Sequence, residues 1–218
     1  HRNILANLRQ VFSAVDVMDT DSLFNCLPMF HSFGLIVGTL LPLCRGIRTT
    51  VFPSPLQYRQ IPTAVYNSNA TMFLSTNTFL NGYARMAHPY DFRNLRYLLA
   101  GAEKVQQATA DTWARKFGVR ITEAYGVTEC SPAISANTKV SNRFGSVGRL
   151  LPGIEWKLEA IDGVADAGRL FVRGPNVMKG YLNADANEAF QALGGRYDTG
   201  DIIHLDTDGY IWGRGRAK

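Results

Sequence analysis

The sequence predicts an α/β fold, a mostly parallel sheet with flanking helices, followed by a C-terminal β-rich subdomain. Three observations carry that expectation. Over residues 1–142, short apolar or β-branched runs alternate with helical patterns of about ten residues, as in parallel strands joined by crossover helices. Over 143–218, glycines recur at positions 145, 148, 153, 163, 168, 174 and 180, and apolar residues fall into strand-like runs separated by turns. A chain of 218 residues buries roughly 70% of its unfolded surface, so its core needs no disulfide or metal staple.

Asn3 is the expected N-cap of a first helix that carries Ile4, Leu5, Leu8, Val11 and Phe12 on one face. Asp19 to Asp21 reads as a turn, Leu23 to Leu27 as a strand ended by Pro28, and the stretch after Gly34 as an apolar helix to Leu43. Thr49 to Phe52 is a β-branched strand closed by Pro53 and Pro55, with a helix from about Gln57 to Tyr66. Ala70 to Leu74 is a strand and Thr76 to Met86 a helix. Arg96 to Ala100 is a strand and Val105 to Phe117 a helix stopped by Gly118. Val119 to Ala124 is the next strand. Beyond it, Glu155 to Ile161, Leu170 to Arg173, Ile202 to Leu205 and Tyr210 to Trp212 read as strands, with Asp206 to Gly209 a hairpin turn.

Hydrophobic residues make up 46% and charged residues 19%, which argues against disorder. The net charge is +5, yet the basic residues are scattered except near Arg214, Arg216 and Lys218, and no aromatic stripe accompanies them. Nucleic acid is therefore not the expected partner; an anionic small molecule or an acidic protein fits equally well. Cys26, Cys44 and Cys130 lack metal-ligand spacing, and an odd count does not make a disulfide framework. With no signal-peptide pattern, a reducing, cytoplasmic setting is expected. The longest apolar run, near 34–44, is far short of the roughly 20 residues of a membrane span. The opening at His1 and the stop at Lys218 both read as cuts in a longer protein.

The chemistry concentrates at expected strand ends, where parallel sheets collect ligands: His31 to Gly34, Gly101 to Lys104, and Tyr125 to Glu129. In the last of these, an aromatic ring precedes a glycine, a hydroxyl and a carboxylate. A ring can cover a base, bare backbone admits phosphate, and a carboxylate can hold Mg²⁺. A strand-to-loop turn with a solvated Thr-Glu pair is the plainer reading of the same residues.

Taken in order, the motifs resemble the acyl-adenylate-forming (AMP-binding) synthetase superfamily. Leu27 to Gly34 is similar to its P-L-F-H-x-x-G segment, and Tyr125 to Glu129 matches Y-G-x-T-E. Gly168 to Tyr181 resembles G-E-L-x-x-R-G-x-x-V-M-x-G-Y, with Arg169 in place of the usual acid, and Tyr197 to Asp201 matches Y-x-T-G-D. Gly215 to Lys218 looks like the start of the hinge between the family's large and small domains. Phe30 to Gly34, Pro53 to Arg59, Tyr90 to Phe92, Ala100 to Lys104 and Tyr125 to Cys130 are closest to the synthetase half of bacterial bifunctional acyl-[acyl-carrier-protein] synthetase/2-acylglycerophosphoethanolamine acyltransferases.

The resemblance implies a fragment of an adenylating large domain that uses ATP and Mg²⁺. It would activate a fatty acid as acyl-AMP and pass it to the pantetheine thiol of acyl carrier protein. A fatty acyl-CoA ligase is the alternative, and a silent nucleotide- or acyl-binding module a third reading. A fused domain that acylates lysophospholipid, and association of the parent with the inner membrane, follow from the closest resemblance alone. The family's phosphate loop would precede His1 and its catalytic lysine would follow Lys218, so residues 1–218 by themselves are expected not to turn over.

The resemblance also assigns roles. Glu129 would be the metal ligand and Thr128 the donor to the α-phosphate. Tyr125 would stack on adenine beside Gly126, with Gly101, Ala102 and Glu103 lining the base through backbone groups. Asp201 would accept from the ribose hydroxyls, and Arg216, preferred to Arg214, would add a ribose or phosphate contact. His31 is either a satisfied core residue or a wall of the acyl site. Phe33, Gly34, Thr76, Asn77 and Phe79 are further acyl-pocket candidates, Gly34 leaving room for a chain. Lys218 would belong to the hinge. Cys130 invites a thioester-nucleophile reading, which is set aside because the acceptor thiol in this chemistry belongs to pantetheine.

Overall fold

The computed structural model describes residues 1–161, 163 and 166–217. Its main sheet has seven strands in the order β2-β1-β3-β4-β5-β6-β7. These are β1 (Ser22–Asn25), β2 (Arg48–Val51), β3 (Met72–Ser75), β4 (Tyr97–Ala100), β5 (Ile121–Gly126), β6 (Ala133–Ala136) and β7 (Arg149–Leu150). β1 to β5 pair in parallel; β6 and β7 add antiparallel. β1 and β3 are buried along their whole length, as parallel strands covered on both faces must be.

Helices α3 (Gln60–Asn67), α4 (Asn77–Met86) and α5 (Gln107–Phe117) belong to one core, packing Ile61, Leu80, Tyr83 and Trp113 with Phe24, Phe73 and Leu98. Helix α1 (Arg2–Ala14) and the segment after β1 build a second core, where Leu8, Val11, Phe33 and Val37 meet Leu23 and Leu74. The strand order reverses between β1 and β3. Doubly wound sheets open a crevice at such a switch point, outside the carboxyl ends of the strands.

Phe33–Leu40 winds as a π-helix before continuing as α2 (Leu41–Arg45). Asn25, closing β1, accounts for the wide turn. Its amide donates to the Gly34 carbonyl at 3.1 Å, which also accepts the Thr39 hydroxyl at 3.0 Å. A Cβ on Gly38 would lie 2.4 Å from the Asn25 amide. Such local π winding is frequent at functional sites.

The second sheet runs β11-β10-β9-β8 and is antiparallel throughout: β8 (Glu155–Ala160), β9 (Gly168–Arg173), β10 (Tyr197–Leu205) and β11 (Ile211–Arg216). Cys130 and Ile134 pack with Leu170, Val172, Ile203 and Ile211 in a third core that joins the two sheets.

Several elements depart from the sequence expectation. Helix α1 starts at Arg2 behind His1, so Asn3 is not the cap; its amide donates to Ser131 Oγ at 2.7 Å. The helix expected from Gln57 begins at Gln60. A helix α6 (Ala184–Ala192), capped by Asn183, occupies the region expected to be all strand and turn; Phe190 is its single buried residue, so it has no apolar stripe to read. Strand β5 extends through Gly126, which places Tyr125 and Gly126 in the strand rather than in a glycine turn. Gly126 is required instead by close approach, since a Cβ there would lie 2.1 Å from the Pro132 carbonyl oxygen. The turn itself is Thr128–Cys130, closed by Ser131 at φ 66°.

Asp21, just before β1, is 3% exposed. It accepts from Arg96 Nε (2.8 Å) and Nη2 (2.5 Å), from Thr71 Oγ1 (2.6 Å) and from the Met18 N–H (2.8 Å). Burial pushes the carboxyl up, but the hydrogen bonds together outweigh it and hold the group below its usual range. A depressed folded pKa stabilises above the unfolded value near 3.9 and is lost as pH falls through the folded value. Asp21→Asn is expected to cost about 2 kcal/mol at neutral pH. Its urea-unfolding gap to wild type should then shrink as pH drops below about 4. A gap independent of pH down to about 2 would contradict the assignment.

Candidate active site

A cavity of about 250 Å³ opens at the carboxyl ends of β1, β4 and β5. His31, Ser32 and Phe33 follow β1, Gly101 and Ala102 follow β4, and Ala124 to Thr128 come from the end of β5. Val11 on α1 and Val15 just past its end line it with Val37, Leu99 and Leu151, giving an apolar wall. Ala102 adopts a left-handed φ of 64°, uncommon for a residue with a Cβ, at the point where the chain leaves β4 for the cavity rim. His31 is exposed, which removes the core reading. Its Nδ1 accepts the Phe33 N–H at 3.2 Å, so a neutral ring carries its proton on Nε2.

The second sheet delivers a carboxylate to Tyr125, which lines this cavity. The Tyr125 hydroxyl donates to Asp201 Oδ2 at 2.5 Å, and Arg216 Nε donates to Asp201 Oδ1 at 3.0 Å. Strand register explains the second contact, because Asp201 lies opposite Arg216 on β10 and β11. A register shift against β9 between Asp198 and Ile202, with Gly200 at φ 69°, takes Asp201 out of the β9 ladder. Asp198 fixes that irregularity by accepting the Gly200 N–H at 2.9 Å while pairing with Arg169. The residue that departs from the family pattern, Arg169, thus braces the Asp201 turn. Burial first, then the Asp201 carboxylate, holds the Tyr125 phenol well above its ordinary pKa, so it remains a donor.

Thr128 and Glu129 stand on the turn beyond β5. The hydroxyls of Thr128 and Ser32 lie 3.1 Å apart, joining the β1 and β5 loops. Glu129 Oε1 accepts the Tyr181 hydroxyl at 3.2 Å, and burial holds the nearby Tyr197 phenol above its ordinary pKa, with the Glu129 charge adding to it. The Tyr197 phenol faces the same carboxylate, and Glu129 forms no ion pair among the described residues. A half-exposed carboxylate with no cationic partner among the described residues suits Mg²⁺, which commonly takes one or two carboxylates and fills its shell with phosphate and water. No group of three His, Cys, Asp or Glu gathers among the described residues, so an all-protein cage is not the arrangement.

Other expected residues lie elsewhere. Gly34 does not line the cavity; a Cβ there would meet the Pro28 carbonyl oxygen at 2.3 Å, so the glycine serves helix-to-loop contact rather than chain entry. Thr76 is buried at the start of α4 with its hydroxyl unpartnered, and Asn77 accepts the Gln106 N–H at 3.0 Å. Phe79 packs in the core. Glu103 accepts both the N–H and the hydroxyl of Thr78 and so caps α4 with its side chain. Arg216, not Arg214, touches Asp201. Cys130 is buried and its thiol is pushed up to about 12 by burial, in keeping with setting it aside as a nucleophile. Lys218 lies outside the described residues. The sequence reading missed Ser32, Tyr181 and the Val11–Val15 wall, though the apolar spacing of α1 already placed Val11 on a buried face.

The model of the AMP-binding enzyme family matches residues 1–182. The chain belongs to that family. It is 32% identical over 225 residues to a long-chain-fatty-acid–CoA ligase of Yersinia pestis, covering 97% of this chain and 39% of that protein. It is 30% identical over 234 residues to a probable CoA ligase of Humulus lupulus, covering all of this chain and 42% of that one. Among solved structures, a malonyl-CoA ligase in ternary product complex with methylmalonyl-CoA and AMP superposes with a TM-score of 0.86 at 31% identity, covering 99% of this chain and 48% of that one. ATP-bound MatB from Rhodopseudomonas palustris gives 0.88 at 25%, covering 99% and 44%. The chain thus spans about two-fifths of the length of the curated relatives it matches. No helix among the described residues is long and apolar enough to cross a membrane.

Proposed function

We propose that the protein carrying this chain is an ATP-dependent ligase that activates a fatty acid as acyl-AMP and transfers the acyl group to the thiol of CoA. The observation that carries this reading is the Tyr125–Asp201–Arg216 network, whose Tyr125 lines an apolar cavity. The Tyr125 ring, between the cavity and Asp201, is placed to cover adenine while its hydroxyl holds the carboxylate that receives the ribose. Gly101 and Ala102 supply backbone along the same edge, and Thr128 donates to the α-phosphate. The substrate carboxylate attacks the α-phosphorus, the bond to the β-phosphate oxygen breaks, and pyrophosphate leaves. The acceptor thiolate then attacks the acyl carbonyl and AMP departs. His31 and Phe33 wall the acyl side, together with Val11, Val15 and Leu99. Glu129 would hold Mg²⁺, which when bound would supply positive charge against the phosphates.

CoA is favoured over acyl carrier protein as acceptor because the relatives are named as CoA ligases. The motif resemblance to carrier-protein synthetases supports the second acceptor. The complete protein should be incubated with Mg·ATP, a long-chain fatty acid and either CoA or holo acyl carrier protein. Acyl-CoA is the expected thioester. Thioester on carrier protein alone would transfer the reading to that acceptor, and no fatty-acid-dependent ATP–pyrophosphate exchange would sink the ligase reading altogether.

A further inference from the structure

The segment Gly174 to Tyr181 and helix α6 have no part in the chemistry described so far, yet they converge on the Glu129 turn. Asn176 donates its amide to the Cys130 carbonyl at 2.9 Å, and the Asn176 carbonyl accepts Ser131 Oγ at 3.0 Å. The Met178 N–H donates to the Glu129 carbonyl at 2.7 Å. Three residues later the Tyr181 hydroxyl reaches the Glu129 side chain. Both the backbone and the carboxylate of Glu129 are thereby tied to one strap.

Helix α6 fixes the far end of that strap. Asn187 Oδ1 accepts the Tyr181 N–H at 3.1 Å, and Gln191 donates to the Lys179 carbonyl at 3.1 Å. The Tyr181 ring meets Phe190 edge-on, with centroids 6.3 Å apart. Gly180 lets the strap pass this close, since a Cβ would lie 2.1 Å from Asn187 Oδ1. Tyr181 is itself 37% exposed, so its ring is not needed to fill a core. What remains for it is the direction of its hydroxyl.

We propose that Tyr181, braced by α6 through Asn187 and Phe190, is a positioning residue that orients the Glu129 carboxylate toward a divalent cation. A phenol bound to Oε1 fixes the carboxylate plane and turns the other oxygen to the metal. The proposal rests on the reading of Glu129 as the metal ligand. Groups that orient a metal ligand typically cost about 10- to 100-fold in affinity when removed. The exposure of Tyr181 sets the expectation at the lower end, about tenfold.

The test uses the complete protein with Mn²⁺ and α,β-methylene-ATP, and reads free Mn²⁺ by electron paramagnetic resonance. Tyr181→Phe should raise the Mn²⁺ dissociation constant about tenfold, while nucleotide binding in EDTA and the melting temperature stay at wild type. Asn187→Ala, which keeps the hydroxyl but frees its support, should shift the constant the same way by less. Glu129→Gln is the reference. If Glu129→Gln weakens Mn²⁺ and Tyr181→Phe does not, the tether is wrong and the metal assignment stands. If neither weakens it, the metal assignment itself fails. Equal loss of nucleotide with and without metal in Tyr181→Phe would reduce the strap to general structural support and overturn the proposal.

Discussion

Replacing Glu129 by Gln is expected to lower fatty-acid-dependent ATP–pyrophosphate exchange by about 100-fold at fixed Mg²⁺, equivalent to about 2.7 kcal/mol of lost transition-state stabilisation. Gln has the shape of Glu, and its amide oxygen can still accept from Tyr181, so the strap that holds the turn is kept. What disappears is one negative charge that no ion pair neutralises among the described residues. The loss should therefore fall on metal-dependent steps. Raising Mg²⁺ should recover part of the rate, whereas raising ATP at low Mg²⁺ should recover none. The melting temperature should stay within a degree or two, since half-exposed substitutions away from buried networks are usually near neutral. An exchange rate equal to wild type at limiting Mg²⁺ would remove Glu129 from the metal site.

Much of this arrangement is readable from the sequence, and what is not has physical causes. The parallel strands β1 to β5 announce themselves as apolar runs between helical patterns because burial on both faces demands it. Tyr125, Thr128 and Asp201 carry chemistry in their residue types, and the structure brings Tyr125 and Asp201 into contact across 76 residues. The register that sets Asp201 opposite Arg216 depends on a ladder irregularity that no spacing rule encodes. Glycine is the least legible residue. Gly34 and Gly126 both look like openings for a ligand, yet each is there because a neighbouring backbone carbonyl leaves no space for a Cβ. Thr76 sits next to a strand end, as expected, but does not line the cavity, because which side of the sheet a loop residue takes is decided by packing. Helix α6 escapes notice because it lies against a strap rather than a core, and so lacks the apolar periodicity by which helices are recognised.

Asp201→Ala should weaken ATP binding by about 100-fold, the effect of losing two charge-assisted hydrogen bonds worth about 1.5 kcal/mol each. In the structure both oxygens of Asp201 already have protein donors, Tyr125 on Oδ2 and Arg216 on Oδ1. That does not exclude the ribose. An ionised carboxylate offers about four lone-pair sites, so two remain for the vicinal hydroxyls. The protein donors instead fix the carboxylate plane before the nucleotide arrives, which spares the ordering cost on binding. Two consequences separate this account from a turn-stabilising aspartate. Wild type should lose affinity for 2′,3′-dideoxy-ATP by a factor near that of the mutation, and Asp201→Ala should no longer distinguish the two nucleotides. Tyr125→Phe, which removes only the hydroxyl, should weaken ATP by about fivefold, and its effect should largely vanish on the Asp201→Ala background, because contacting residues of one network are not additive. If Asp201→Ala still prefers ATP to the dideoxy analogue by the wild-type ratio, the ribose contact lies on other groups, and the Tyr125–Asp201 bond serves only to tie the two sheets together.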